Sequence, residues 1–174
     1  MQGDEMTIGL FTFVDLYRRA LGTADRLLSR GVERAASLGV DEQAMLDWRL
    51  IEDMQPLRFQ FMVVCNFAQQ WPARVAGLPV PGTIDDQRNV AGFRAAIAEA
   101  AAFLASLRPD QFEGRDDVPL TFAIGPGMEP TLPAGRWLSV FATTNLQFHL
   151  ATAYGILRAN GALLGKVDLF ASGL

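Results

Sequence analysis

An all-α fold, four long helices bundled around one core with a single short β-hairpin, is what the sequence predicts, on three observations. Four segments carry apolar residues at helical spacing. Between the third and the fourth, "VPLTFAIGPGMEPTLPAG" pairs two short apolar runs around Gly125-Pro126-Gly127, as a hairpin does. No internal repeat, low-complexity run or linker divides the 174 residues. Residues 1–174 therefore read as one domain, long enough to bury a core without metal or disulfide staples.

From Met6 onward, Leu10, Val14, Tyr17, Leu21 and Leu28 recur at spacings of three, four and seven. Arg19, Arg26 and Arg30 fall on the opposite face, so an amphipathic helix is expected to about Leu38, weakened at Gly31. Asp41 is placed to cap a short helix through Met45, Trp48 and Leu50. Pro56 is tolerated in a first helical turn, where its missing N–H costs little. Asp53 is therefore the expected N-cap of a second long helix, from Met54 to about Ala76, kinked or cut short at Pro72. "GLPVPG" is a loop. A third helix is expected from near Asp85 or Asp86, carrying Val90, Phe93, Ile97, Phe103, Leu104 and Leu107 and stopping before Pro109.

The hairpin pairs Leu120 to Ile124 with Met128 to Leu132, with Pro130 restricted to an edge position. A last long helix should run from Gly135 or Arg136 to Asn160, with Gly161 as its left-handed terminator. The tail "ALLGKVDLFASGL" reads as extended, docked by its leucines and phenylalanine.

Half the residues are hydrophobic and a fifth charged, which is ordinary globular composition. A net charge of −4 without a basic stripe argues against nucleic acid, whose phosphates need concentrated Lys and Arg. No stretch of eighteen or more apolar residues would span a bilayer, and "MQGDEM" is acidic where a secretory signal is basic. The single cysteine, Cys65, is expected as a small buried apolar residue and fits a reducing compartment. The expectation is a cytoplasmic protein that engages neither nucleic acid nor membrane.

The polar residues that matter are those on apolar stripes. At about 100° per residue, Leu138, Asn145, His149, Thr152 and Ile156 share one face of the last helix. Asp53, Gln60, Val64, Phe67 and Trp71 share a face of the second. If the two stripes meet, Asp53 or Gln60 approaches Asn145, His149 and Thr152. His149 is the only histidine, either a satisfied core residue or the working group of a pocket. Gln60 and Asn145 could equally hydrogen-bond each other, since buried amides must be paired.

"RLIEDMQPLRFQ" (residues 49–60), "AGLPVP" (76–81) and "NLQFHLATAYGILRANGALLGKVD" (145–168) together resemble an uncharacterised bacterial family related to the DinB/YfiT-like superfamily of metalloenzymes. The resemblance implies an up-down-down-up four-helix bundle that often dimerises, holding a divalent metal with three histidines. One of these stands on the second helix and an HxxxH pair on the last. Here the pair's spacing is matched by Asn145 and His149, and the second helix offers Gln60 or Asp53, so the usual three-histidine site is absent. No cofactor is expected; a divalent metal, if held, would need His149, Asn145 and Gln60.

Three functions follow from these residues. The first is a pocket between the second and fourth long helices that binds a small molecule. In it His149 acts as acid, base or hydrogen-bonding group, with Asp53 as a second catalytic candidate and Gln60, Asn145 and Thr152 as ligand contacts. The second is a non-catalytic bundle acting through protein association, and the third a metal-dependent enzyme with an altered ligand set. Val140, Leu146, Leu150, Tyr154 and Leu157 make the last helix apolar nearly all round, so it needs cover on most sides. The resemblance turns that need toward a symmetric homodimer.

Overall fold

The computed structural model describes residues 8–170. It is predominantly helical, with one two-stranded antiparallel sheet. Helix α1 (Thr12–Leu38) is followed by the short α2 (Glu42–Leu46) and by the long helices α3 (Leu57–Ala76) and α4 (Val90–Ser106). Strands β1 (Pro119–Thr121) and β2 (Thr131–Pro133) lead into α5, residues 134–159. That helix opens with one α-turn at Ala134–Arg136, widens to a π-helix over Trp137–Ala142 and continues as α-helix over Thr143–Ala159. The expected start at Met6 lies outside the described residues. No helix among these residues is long and apolar enough to cross a membrane.

Hydrogen bonds between elements fix the helix directions. Tyr17, early in α1, donates to the Leu138 carbonyl early in α5, and Arg34, late in α1, donates to the Asn160 carbonyl at the far end. Helices α1 and α5 are therefore parallel. Trp71, late in α3, stacks on Trp137, early in α5, at 5.2 Å, while Gln60, early in α3, meets His149 late in α5; these two are antiparallel. The parallel pair α3 and α4 needs a long return. Residues 77–89 supply it by running back along α3. Gln69 and Asn66 bond the carbonyls of Gly82 and Ile84, and Arg58 reaches Asp86 near the start of α3. The Ile84 N–H also donates to Asn66 Oδ1, so the buried amide is satisfied on both sides. Helix α4 then starts where α3 started, with Asn89 accepting from Gly92 N–H as its N-cap. The order is up-down-down-up.

Several local expectations are corrected. Helix α3 begins at Leu57, with Pro56 in extended conformation at the N-cap and no side-chain cap. Asp53 is exposed in the preceding turn and caps nothing. The short helix stops at Leu46 because Trp48, whose carbonyl accepts the Leu57 N–H, already belongs to the connection. Pro72 neither kinks α3 to a stop nor shortens it. It lies only four residues before the helix ends, and the N–H groups of Gly77 (φ 71°) and Leu78 satisfy the last carbonyls. Gly31 does not weaken α1 either; it lets α1 close on its neighbours. A Cβ there would stand 2.9 Å from Leu157 Cδ2 and 3.0 Å from Met45 Sδ. Helix α4 begins at Val90, later than Asp85 or Asp86, because those residues belong to the return along α3.

In the hairpin, Leu120 faces Leu132, but regular pairing covers only three residues on each strand. Pro126 and Pro130 lack the N–H that would extend it. The tip is a β-turn with Gly127 at φ 72° and Met128 N–H on the Gly125 carbonyl. The tail is not extended. After Gly161 (φ 80°) it forms a 3₁₀ turn at Lys166–Phe170. That turn is held by buried Asp168, which accepts from Gly165 N–H and Arg26 Nε at 2.7 Å each. Leu163 and Phe170 stay exposed. Of the apolar set on α5, Leu146, Leu150 and Leu157 are buried within this chain, and Val140 is exposed. Intramolecular packing thus answers most of the demand for cover.

Candidate functional site

Gln60 and His149 stand on the apolar stripes of α3 and α5, and the packing of the two helices brings them together. His149 Nδ1 lies 2.7 Å from Gln60 Oε1. Gln60 is itself buried, and its amide nitrogen donates to the carbonyls of Gln55 (2.9 Å) and Pro56 (3.3 Å) at the first turn of α3. With both carbonyls on the nitrogen side, the amide can only present its oxygen to the imidazole. An oxygen acceptor requires Nδ1 to carry the proton. In the neutral ring Nε2 is then an unprotonated acceptor. The Gln60 amide thus sets the tautomer of a residue 89 positions away in the chain.

His149 is half-buried, and burial pulls its pKa below the ordinary value. Phe148 stands edge-on to the ring at 5.1 Å, and Phe59 is tilted against it at 5.9 Å. These apolar neighbours disfavour the imidazolium and leave a neutral imidazole at pH 7. Phe59 lies about 100° from Gln60 around the helix, off the stripe that carries the polar residues. Its position directly before a buried glutamine was the available signal.

The other candidates are arranged differently. Asn145 donates through Nδ2 to the Phe141 carbonyl, and Thr152 donates to the Phe148 carbonyl. Both are back-bonds within α5. Asn145 Oδ1 has no hydrogen-bond partner among the described residues, so one acceptor remains a helical turn before His149. Asp53 makes no ion pair or hydrogen bond among these residues and is not on the imidazole. Among them, no group of three or more His, Cys, Asp or Glu side chains comes together. Cys65 is buried, and burial pushes its thiol up to about 12, which leaves it inert at neutral pH.

The up-down-down-up bundle of four long helices is that of a DinB-like protein. The fold is similar to the crystal structure of a DinB family member protein from Shewanella denitrificans, with a TM-score of 0.82 and 27% sequence identity. That similarity covers 92% of this chain and 90% of the other. The chain belongs to the family described as "Domain of unknown function (DUF1993)", whose model matches residues 11–170. No curated protein matches it.

Proposed function

We propose that the protein binds a small organic molecule between α3 and α5, with His149 Nε2 as the acceptor that receives a ligand proton or hydrogen bond. The observation that carries this reading is the chain from the Gln55 and Pro56 carbonyls through the Gln60 amide to His149 Nδ1. It leaves Nε2 as the nitrogen free to act. A buried amide is satisfied in this way in any core; what favours a working ring is that the amide fixes one tautomer and leaves Nε2 a defined acceptor, as a base or acceptor requires. Asn145 Oδ1 serves as a second acceptor for the same ligand. Thr152, spent on the Phe148 carbonyl, shapes the wall, and exposed Asp53 takes no part.

A resident metal fits this site poorly. The groups at the positions of the three-histidine centre are one imidazole and two neutral amides, with the imidazole nitrogen and one amide oxygen already bonded to each other. Divalent metals of that class favour imidazole, thiolate or carboxylate ligands.

A thermal-shift screen of small organic molecules and divalent ions, run on untagged wild-type protein and His149→Phe, tests the reading. Organic molecules that stabilise the wild type and lose that effect in His149→Phe are the expected result. Organic hits indifferent to His149→Phe would contradict it, as would stabilisation confined to a divalent ion and abolished by the substitution.

A further inference from the structure

A second place on α5 has the features of a binding site and does not include His149. The hairpin leans on α5 through Trp137, whose Nε1 donates to the Leu120 carbonyl at 2.8 Å. Beside that contact a groove of about 450 Å³ opens between hairpin and helix. This lies within the usual range for small-ligand pockets, roughly 300–1,000 Å³. Ile124 and Leu132 form the hairpin wall; Trp137, Val140 and Phe141 form the helix wall. Ile124 and Val140 are 41% and 58% exposed, so both walls present apolar surface that none of the described residues covers. Trp137 and Phe141 are held edge-to-face at 5.1 Å and backed by Trp71, which makes that wall rigid.

The polar groups sit at the two ends. Among the described residues, Arg136 is the only charged one lining the groove, and it makes no ion pair with any of them. Thr144 and Asn145, with the open Asn145 acceptor, lie at the other end. Eight positions along the helix part Arg136 from Thr144, about 12 Å at the α-helical rise and somewhat less through the π-helical stretch between them. A larger groove on the α1 and α4 side differs in kind, because Asp15 and Asp25 stand among its arginines.

We propose that the groove between hairpin and α5 binds an elongated apolar monoanion, its anionic head on Arg136 and its apolar body along Val140, Trp137 and Phe141. One unpaired guanidinium matches one anionic group, through the paired N–H geometry that suits a carboxylate. An apolar trough of that length matches a medium-chain fatty carboxylate. Asn145 borders both sites, but the head on Arg136 and the body on the apolar walls do not involve His149, so this site is tested separately from the His149 reading.

Calorimetric titration with decanoate, decanol and decylammonium tests this, each below its micellar concentration. Decanoate is expected to bind at least about tenfold more tightly than decanol, the worth of one charge-assisted pair, and decylammonium more weakly still. Arg136→Met, at an exposed position, should bring decanoate down to the affinity of decanol without changing decanol. Val140→Trp, also at an exposed position, should fill the trough and weaken both. His149→Phe should leave decanoate binding unchanged. Equal affinity for decanoate and decanol, no binding of decanoate, or decanoate binding indifferent to Arg136→Met would each overturn the proposal.

Discussion

Replacing Gln60 by Glu keeps side-chain length and exchanges one amide for a carboxylate 2.7 Å from His149 Nδ1. In the native protein burial holds the His149 pKa below its ordinary value, near 6.5 for an unperturbed imidazole. An opposite charge at hydrogen-bond distance favours the imidazolium and typically shifts a pKa by about 1–3 units. The His149 pKa in Gln60→Glu is therefore expected to rise by about that amount. The carboxylate cannot donate to the Gln55 and Pro56 carbonyls, so two hydrogen bonds are lost. At about 1 kcal/mol each, the variant should be about 2 kcal/mol less stable at pH 8. For a domain of this size that is a Tm lower by about 4–8 °C.

The pH dependence gives an independent check. A lowered histidine pKa means that the native stability from this group is full above about pH 6.5 and falls as the pH drops toward the folded value, because the unfolded chain binds the proton more readily. In the variant the raised pKa reverses the sign: the pair's stability is full below about pH 6.5 and is lost as pH rises through the raised value. The difference in Tm between the two proteins should accordingly narrow between pH 8 and pH 6. His149 is the only histidine, so one imidazole signal in a proton NMR titration of untagged protein reports the pKa directly. A His149 pKa equal to or below the native one in Gln60→Glu, or a Tm gap that widens on acidification, would refute the contact.

The tail and the helix contacts give further tests. Asp168→Ala removes the acceptor for Gly165 N–H and Arg26. With Arg26 partly exposed, the loss should be about 1–2 kcal/mol, seen as faster amide exchange at Leu169 and Phe170. Gly165 N–H and Arg26 hold the Asp168 carboxyl below its ordinary value. This contribution is full above about pH 3.9 and fades as pH falls through the folded value, a slope that Asp168→Ala should abolish. Gly31→Val drives a branched side chain into Leu157 and Met45 and should cost about 1–3 kcal/mol in chemical denaturation; an unchanged midpoint would mean the two helices are looser than described. Tyr17→Phe deletes the hydroxyl that bonds the Leu138 carbonyl inside the π-helical stretch and Thr143 directly after it. It should cost about 1 kcal/mol, with α5 exchanging faster near Thr143.

The architecture was legible because helical periodicity reports burial, and burial is what four long helices share. Element ends were less so. Asp53 looks like a cap for Pro56, yet the chain turns extended at Pro56 and α3 starts one residue later, a choice made by the Leu57 N–H bonding the Trp48 carbonyl. Asn66 and Gln69 look like ordinary helix-surface residues in sequence. Only the return of residues 77–89 along α3 gives them their partners, and that path depends on α4 packing parallel to α3. The meeting of Gln60 and His149 was legible, since each is polar on an apolar stripe. The bonding of Asn145 and Thr152 was not, because a side chain satisfied by its own helix leaves the same pattern as one facing a ligand. The groove was invisible for a different reason. It needs the hairpin docked on Trp137, a contact of side chain to backbone that no pattern in one sequence encodes.

Burial keeps His149 neutral, while Gln60 holds the proton on Nδ1 and leaves Nε2 free. A long-range proton–nitrogen correlation spectrum of the single imidazole at pH 7, in uniformly labelled and untagged protein, reads both nitrogens at once. A protonated Nδ1, an unprotonated Nε2 and a ring that gains its charge only below about pH 6.5 are the expected result. A protonated Nε2 with a bare Nδ1, or a ring already cationic at pH 7, would contradict it.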